Sequence, residues 1–284
     1  MAHFIYSSFC DESGETTVGG QIAACKRNGI THMELRGFGK SLNINNLSVK
    51  QAKEMKAEID REGMKVASIG SGYGKINIKE DFAPHFEAFK NTVEVAKILE
   101  AKYIRIFSFY FSEGDSYEKY RDEVIRRVKA MTDYAVAEGL ICCHENEKGI
   151  YGDNAQRAFE IVKEFPMIKN IFDPANFVQC NQDTLEAWEL LKDYTKYLHI
   201  KDALVDGKVV PAGAGAGNLE YIVKDFIKMG GRDFTIEPHL SIFDGLKDLE
   251  NDEVEKSVAA FVYPSKKDAF DVAVNSFKNI VQNL

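Results

Sequence analysis

The sequence has no long apolar run, few cysteines and a shortage of positive charge, and each absence narrows what the chain can be. No stretch reaches the roughly 20 apolar residues that a bilayer-spanning helix needs, so no membrane association is expected. The five cysteines are an odd count without any C-x-x-C spacing. That argues against a disulfide framework and against a sulfur-rich zinc site. Cys142 and Cys143 are neighbours in an apolar run and read as buried free thiols in a reducing cytoplasm. Lys and Arg number 36 against 44 Asp and Glu, a net charge of −8. Nucleic-acid binding needs clustered positive charge and is not expected. No linker rich in Pro, Gly or Ser divides the chain and no low-complexity tract appears, so residues 1–284 read as a single domain. The opening Met-Ala-His-Phe-Ile-Tyr enters directly as a strand without a signal-peptide pattern, which again suggests the cytoplasm.

What is present is eight alternations of a short β-rich run with a longer helical pattern. The strand candidates are Phe4–Ser8, Thr31–Arg36, Lys65–Ile69, Tyr103–Phe109, Leu140–Glu145, Ile168–Asp173, Tyr197–Lys201 and Phe234–Glu237. They lack a clean polar alternation, as expected of parallel strands buried on both faces. Amphipathic helices are expected over Val49–Glu62, Phe86–Leu99 and Tyr117–Glu138, with a closing helix near Lys266–Gln282. Gly29, Gly63, Gly139 and Gly230 each follow a helical pattern and precede a strand, a place where glycine can take the left-handed turn that ends a helix. Strict alternation implies a parallel sheet, and eight repeats favour a closed (β/α)8 barrel over an open sheet. The irregular stretch from Ile242 to Pro264 interrupts the pattern, and its acidic run Asp248–Glu255 is expected as a solvated helix or loop near the barrel mouth.

Four clusters close four successive strands: His144-Glu145-Asn146, Asp173-Pro174-Ala175-Asn176, His199-Ile200-Lys201-Asp202 and Glu237-Pro238-His239. Groups carried by strand ends converge only if the strands lie side by side and end at one edge, as in a barrel. Three carboxylates and an imidazole suit a divalent, fairly hard cation such as Mn²⁺ or Mg²⁺.

With Gly149-Ile150-Tyr151-Gly152-Asp153, Phe172-Asp173-Pro174-Ala175-Asn176-Phe177, His199-Ile200-Lys201-Asp202, Pro211-Ala212-Gly213 and Ile236-Glu237-Pro238, the chain resembles the xylose isomerase-like TIM-barrel superfamily, in its sugar phosphate isomerase/epimerase branch. The resemblance spans essentially the whole chain. It implies one divalent metal ion held by Glu145, Asp173, His199 and Glu237, with Mn²⁺ foremost and Mg²⁺, Co²⁺ or Zn²⁺ as alternatives. It also implies proton transfer on a small sugar or keto-sugar through an enediolate, with Glu145 and Glu237 as the pair of bases. Two departures bear on the substrate. In the ketulose 3-epimerase subgroup a His follows the metal Asp by three residues and a Glu follows the first metal Glu by six; here those positions are Asn176 and Tyr151. DNA-repair endonucleases of the superfamily likewise need a His where Asn176 stands.

Lys201, two residues beyond His199, is expected to face the barrel mouth and to donate to a developing oxyanion. Asp202 is expected to support the site from behind. His144 is a further acid/base candidate, although alternation points it away from Glu145 and suits a hydrogen-bonded structural role. Asn176, Arg36, Arg105 and His239 are candidate substrate contacts; buried ion pairs would explain the two arginines equally well. The loop Gly213–Gly217 before a candidate N-cap at Asn218 could cradle a phosphate with its amides or serve only as a connector. Trp188 reads as packing. The leading expectation is an isomerase or epimerase. The alternatives are a dehydratase or lyase of a keto-cyclitol or keto-sugar, including C-glycoside cleavage with His144 as base, and a non-catalytic sugar-binding barrel. Outer helices of such barrels often make homo-oligomers.

Overall fold

A computed structural model describes residues 4–39, 42–242 and 262–284. Eight parallel strands form one closed barrel: β1 (Ile5–Phe9), β2 (His32–Leu35), β3 (Lys65–Ile69), β4 (Tyr103–Ile106), β5 (Ile141–Glu145), β6 (Lys169–Phe172), β7 (Thr195–Ile200) and β8 (Asp233–Ile236). Each neighbours its predecessor in sequence and β8 pairs with β1, Ile5 lying opposite Asp233 and Ser8 opposite Ile236. The acidic stretch Asp248–Glu255 lies outside the described residues.

Local sequence explains where the helices around the barrel begin and end. Ser48 and Gln51 form a reciprocal capping box at the start of Val49–Arg61, and Ala52, Met55 and Ile59 are its buried stripe. Gly63, at φ +67°, then turns the chain into β3. The third helix spans Phe82–Ile98 with Asp81 as its N-cap, four residues earlier than the pattern from Phe86 suggested. Pro84 sits in its first turn, where a missing N–H costs no intrahelical bond. Tyr117–Ala137 and the closing helix Lys266–Gln282 begin at Ser116 and Ser265, whose side chains accept from the backbone. Side chains such as Phe89, Met131, Trp188 and Phe277 are fully buried and fill the layer between helices and barrel. Trp188 packs edge-on against Phe172 and Phe226 and donates to Asp225, a packing role. Cys10, Cys25, Cys142 and Cys143 are buried free thiols, and Cys180 is half-buried.

β4 ends at Ile106 and not at Phe109. Beyond it the chain leaves the barrel and joins two neighbouring loops. Phe107 and Phe109 donate to the carbonyls of Tyr73 and Gly74, Tyr110 donates to Ile76, and Tyr151 donates to Ser108. Gly74 is at φ +94°, and a Cβ there would run into the Phe107 carbonyl. The loops after β3, β4 and β5 are thereby bonded into one wall along the C-terminal rim of the barrel.

Candidate metal centre

The ends of β5 to β8 deliver Glu145, Asp173, His199 and Glu237 to one point, with one ligand atom from each lying within 4.8 Å of the others. All four are buried. Asp173 caps the short helix Pro174–Gln179, with Pro174 at its first position; one carboxylate oxygen accepts from the Asn176 amide at 3.0 Å. The other oxygen, Oδ2, accepts no hydrogen bond and lies 2.9 Å from Lys201 Nζ. Asn146 fixes this strand end by bonding the Asp173 backbone in both directions.

The outer atom of each remaining candidate ligand is secured. Arg105 donates to Glu145 Oε2 at 2.9 Å, and Arg36 donates to Glu237 Oε1 at 3.1 Å. His199 Nδ1 lies 2.7 Å from Glu145 Oε1 and 3.5 Å from Glu237 Oε2, while its Nε2 meets Glu34 Oε2 at 3.2 Å. Glu34 also accepts from Tyr197 at 3.1 Å and Ser68 at 3.3 Å. A carboxylate behind the imidazole of a metal-ligating His fixes its tautomer and ring orientation.

These residues fit a divalent cation. Burial, reinforced by Glu237 and Glu145, pushes the Asp173 carboxyl up to about 7 against the opposing pull of Lys201. Burial also opposes ionisation of Glu237, but Lys201, His239 and His199 outweigh it and hold that group well below its ordinary range. Packed carboxylates are relieved by a positive ion, here supplied to Asp173 Oδ2 by Lys201 alone among the described residues, and an oxygen-rich set with one nitrogen suits a fairly hard cation.

The other candidates divide. Lys201 is beside the cluster, its Nζ 3.0 Å from Glu237 Oε2. Asn176 and His239 line the cavity above it, although Asn176 Nδ2 is given to the Asn146 carbonyl. Arg36 and Arg105 both make the buried ion pairs offered as the alternative to substrate contact, and Arg105 also lines the cavity. Arg36 is held by Asp11, Glu12 and Glu237, and Arg105 by Glu145 and the carbonyls of Gly70 and Ser71. Each holds one carboxylate of the candidate metal cluster. His144 is not brought into the centre: its Nε2 meets Ser108 Oγ at 2.9 Å on the outer side of β5, and burial lowers its pKa to about 3. Strand alternation sends it there.

The glycine loop does not cradle a phosphate either. The amides of Gly213, Gly215 and Gly217 donate to the Asp202 carboxylate at 2.9, 3.0 and 2.9 Å, so the protein's own anion fills the nest and Asp202 supports the loop instead of the metal centre. Asn218 precedes the helix Leu219–Lys228 but makes no side-chain cap; it bonds Thr184 and the Ala216 carbonyl.

Glu34, Lys75 and Glu147 are neighbours of the centre that the sequence reading did not single out. Glu34 shares the strand phase of Arg36, two residues on, a usable signal. Lys75 and Glu147 lie in rim loops, where no periodicity marks them.

A closed parallel βα barrel carrying a buried carboxylate–imidazole cluster at its strand C-terminal ends defines a class of metal-site barrels. The chain belongs to the xylose isomerase-like TIM barrel family, whose model matches residues 22–260. No curated protein matches the sequence. Among solved structures it superposes on the IOLI protein with a bound zinc atom (TM-score 0.74, 14% identity, 98% of both chains). It also superposes on the probable 3-DHS dehydratase AsbF from Bacillus anthracis (TM-score 0.72, 14% identity, 96% of this chain and 98% of that one). A third is the D-allulose 3-epimerase from Methylomonas sp. in complex with D-allulose (TM-score 0.72, 14% identity, 100% of this chain and 98% of that one). At these identities the likeness is one of fold.

Proposed function

We propose that the protein is a metal-dependent isomerase or epimerase of a small keto-sugar, with Mn²⁺ as its ion. The observation that carries this reading is the pairing of Glu145 and Glu237. They reach the cluster from strands separated by two others, and each has its outer oxygen clamped by a buried arginine. Glu145, Asp173, His199 and Glu237 would hold the ion, which when bound supplies positive charge to polarise a carbonyl and to stabilise the negative charge that follows deprotonation beside it. One glutamate takes the proton from the carbon next to the carbonyl and the other returns it. Return to the opposite face of the same carbon inverts that centre; return to the adjacent carbon moves the carbonyl. Lys201, buried between Asp173 and Glu237, donates to the oxygen on which charge develops.

A lyase outcome shares the first step. In that outcome Lys201 would protonate a departing β-hydroxyl, whereas a version using His144 as base lacks that group in the centre. Incubation with ketopentoses, ketohexoses and inososes in deuterium oxide with Mn²⁺ distinguishes the outcomes. Deuterium incorporation without other mass change is expected. Loss of water or an aglycone would make the protein a lyase, and no exchange on any member would leave a sugar-binding barrel.

A further inference from the structure

Phe9, the last residue of β1, is fully buried and lies outside the lining of the cavity over the cluster, so substrate contact is not its role. Its surroundings are nonetheless those of the metal centre. The guanidinium carbon of Arg36 lies 4.2 Å from the centre of its ring and that of Arg105 5.1 Å. The His199 imidazole meets the ring edge-on, with centres 5.4 Å apart. Gly70, the residue after β3, admits the ring: a Cβ there would come within 2.5 Å of Phe9 Cε1. The Gly70 carbonyl also accepts from Arg105 Nη2 at 3.0 Å, and Phe107 gives Arg105 a second ring at 4.9 Å.

One aromatic ring therefore serves both arginines that hold the paired glutamates. Arg36 donates to Glu237 Oε1 and Arg105 to Glu145 Oε2. Two like charges brought to one place repel each other, and the negative face of an aromatic ring attracts both. A salt bridge fixes a guanidinium only at its carboxylate end; contact with a rigid ring limits its remaining freedom to swing. An aliphatic side chain would fill the volume without that attraction. A change in the ring face should therefore reach Glu145 and Glu237 together, although they arrive on strands separated by two others.

We propose that Phe9 is a positioning residue: its ring face sets the two guanidiniums and, through them, the two carboxylates that would share the metal ion and exchange the proton. This rests on the reading of Glu145 and Glu237 as that pair. The test compares wild type with Phe9→Leu and with meta-difluorophenylalanine at the same position, which keeps the outline of the ring but weakens the negative charge on its face. Mn²⁺ dissociation is followed by electron paramagnetic resonance, and proton transfer by deuterium exchange into the best ketose. Circular dichroism and urea unfolding in chelator check that each variant is folded. Folded Phe9→Leu should bind Mn²⁺ about tenfold more weakly and exchange at least about tenfold more slowly, as when a partner behind a metal ligand is lost. The difluorinated protein should fall between Phe9→Leu and wild type in both readings. Wild-type affinity in folded Phe9→Leu overturns the proposal. A difluorinated protein that matches wild type also overturns it, because Phe9 would then only fill space; this comparison decides alone if Phe9→Leu does not fold. A graded loss of Mn²⁺ affinity with no deuterium exchange into any ketose, wild type included, removes the proposed reaction and leaves the positioning intact.

Discussion

Glu34→Gln isolates the support behind the imidazole proposed to hold the metal. In the protein Glu34 accepts from His199 Nε2, Tyr197 and Ser68. Gln has the same shape and can still accept through its amide oxygen, so packing is retained and only the charge is removed. Two effects on folding oppose each other. The charge-assisted bonds to Glu34 are worth roughly 1.5–3 kcal/mol, but deleting a fully buried carboxylate also removes a desolvation penalty of several kcal/mol. Metal-free stability should therefore move by no more than about 1–2 kcal/mol in either direction. Metal affinity has no such compensation. The carboxylate raises the basicity of the imidazole and holds its ring, and loss of such a partner typically weakens binding by about 10–100-fold, or ~1.4–2.7 kcal/mol. Free Mn²⁺ can be followed by its electron paramagnetic resonance signal during titration, and urea unfolding in chelator reports the metal-free stability. An unchanged dissociation constant in a normally folded variant would refute the reasoning, because His199 would then be oriented without Glu34. A large loss of metal-free stability with unchanged affinity would place Glu34 in the folding of the barrel interior alone.

Other outcomes follow from the same contacts. Glu145→Gln and Glu237→Gln should each lower turnover by about three orders of magnitude or more in a folded protein, since each removes a base and a ligand charge; near-normal turnover in either would take that residue out of the proton-transfer pair. Lys201→Met should lower turnover more than it weakens metal binding if the ammonium stabilises developing charge, and parallel Mn²⁺ titration and rate measurements distinguish this from simple balancing of Asp173 and Glu237. His85 accepts the Gly74 amide through Nε2 at 2.9 Å, and burial lowers its pKa from 6.5 to about 4. The folded protein therefore binds fewer protons there than the unfolded chain does. Stability from this group is full above pH 6.5 and is lost as the pH falls towards 4, by about 1–2 kcal/mol after allowing for partial exposure. Urea unfolding of wild type and His85→Gln from pH 7.5 to 4.5 checks this, and identical pH slopes would exclude His85 as the cause.

The barrel was legible because parallel strands buried on both faces leave apolar runs, and helix ends leave glycine and capping residues. The reading overran by one residue at Arg36, Asp173, Lys201 and Glu237, and by three after Ile106, where apolar composition continued past the barrel. Phe107 and Phe109 look like strand, yet their amides go to Tyr73 and Gly74, a choice set by neighbouring loops. In the centre, period-two alternation placed His144 on the far side from Glu145 and Lys201 on the side of His199. Applied to β2, the same rule pairs Glu34 with Arg36, which the residue types alone did not suggest. The partners of Arg36 and Arg105 come from other strands and loops, so the sequence revealed the cations but not their carboxylates. The loop Gly213–Gly217 looked like an anion nest and is one, but its anion is Asp202.

That arrangement bears on where the protein can be cut and joined. A glycine-rich surface segment is ordinarily the first choice for grafting a peptide tag or inserting a second domain. Here alternate amides of the segment are the solvation shell of one carboxylate, and a Cβ at Gly215 would collide with that carboxylate and with the Ala203 carbonyl. An insertion inside Gly213–Gly217 would strip Asp202 of its three loop donors, one residue from Lys201. The antiparallel hairpin in which Asp202–Ala203 pairs with Val209–Val210 is the better splice point: Val205 at its tip is 79% exposed, and the Leu204–Lys208 bond closes the turn beneath it, so added chain would leave into solvent while the glycine socket kept its occupant.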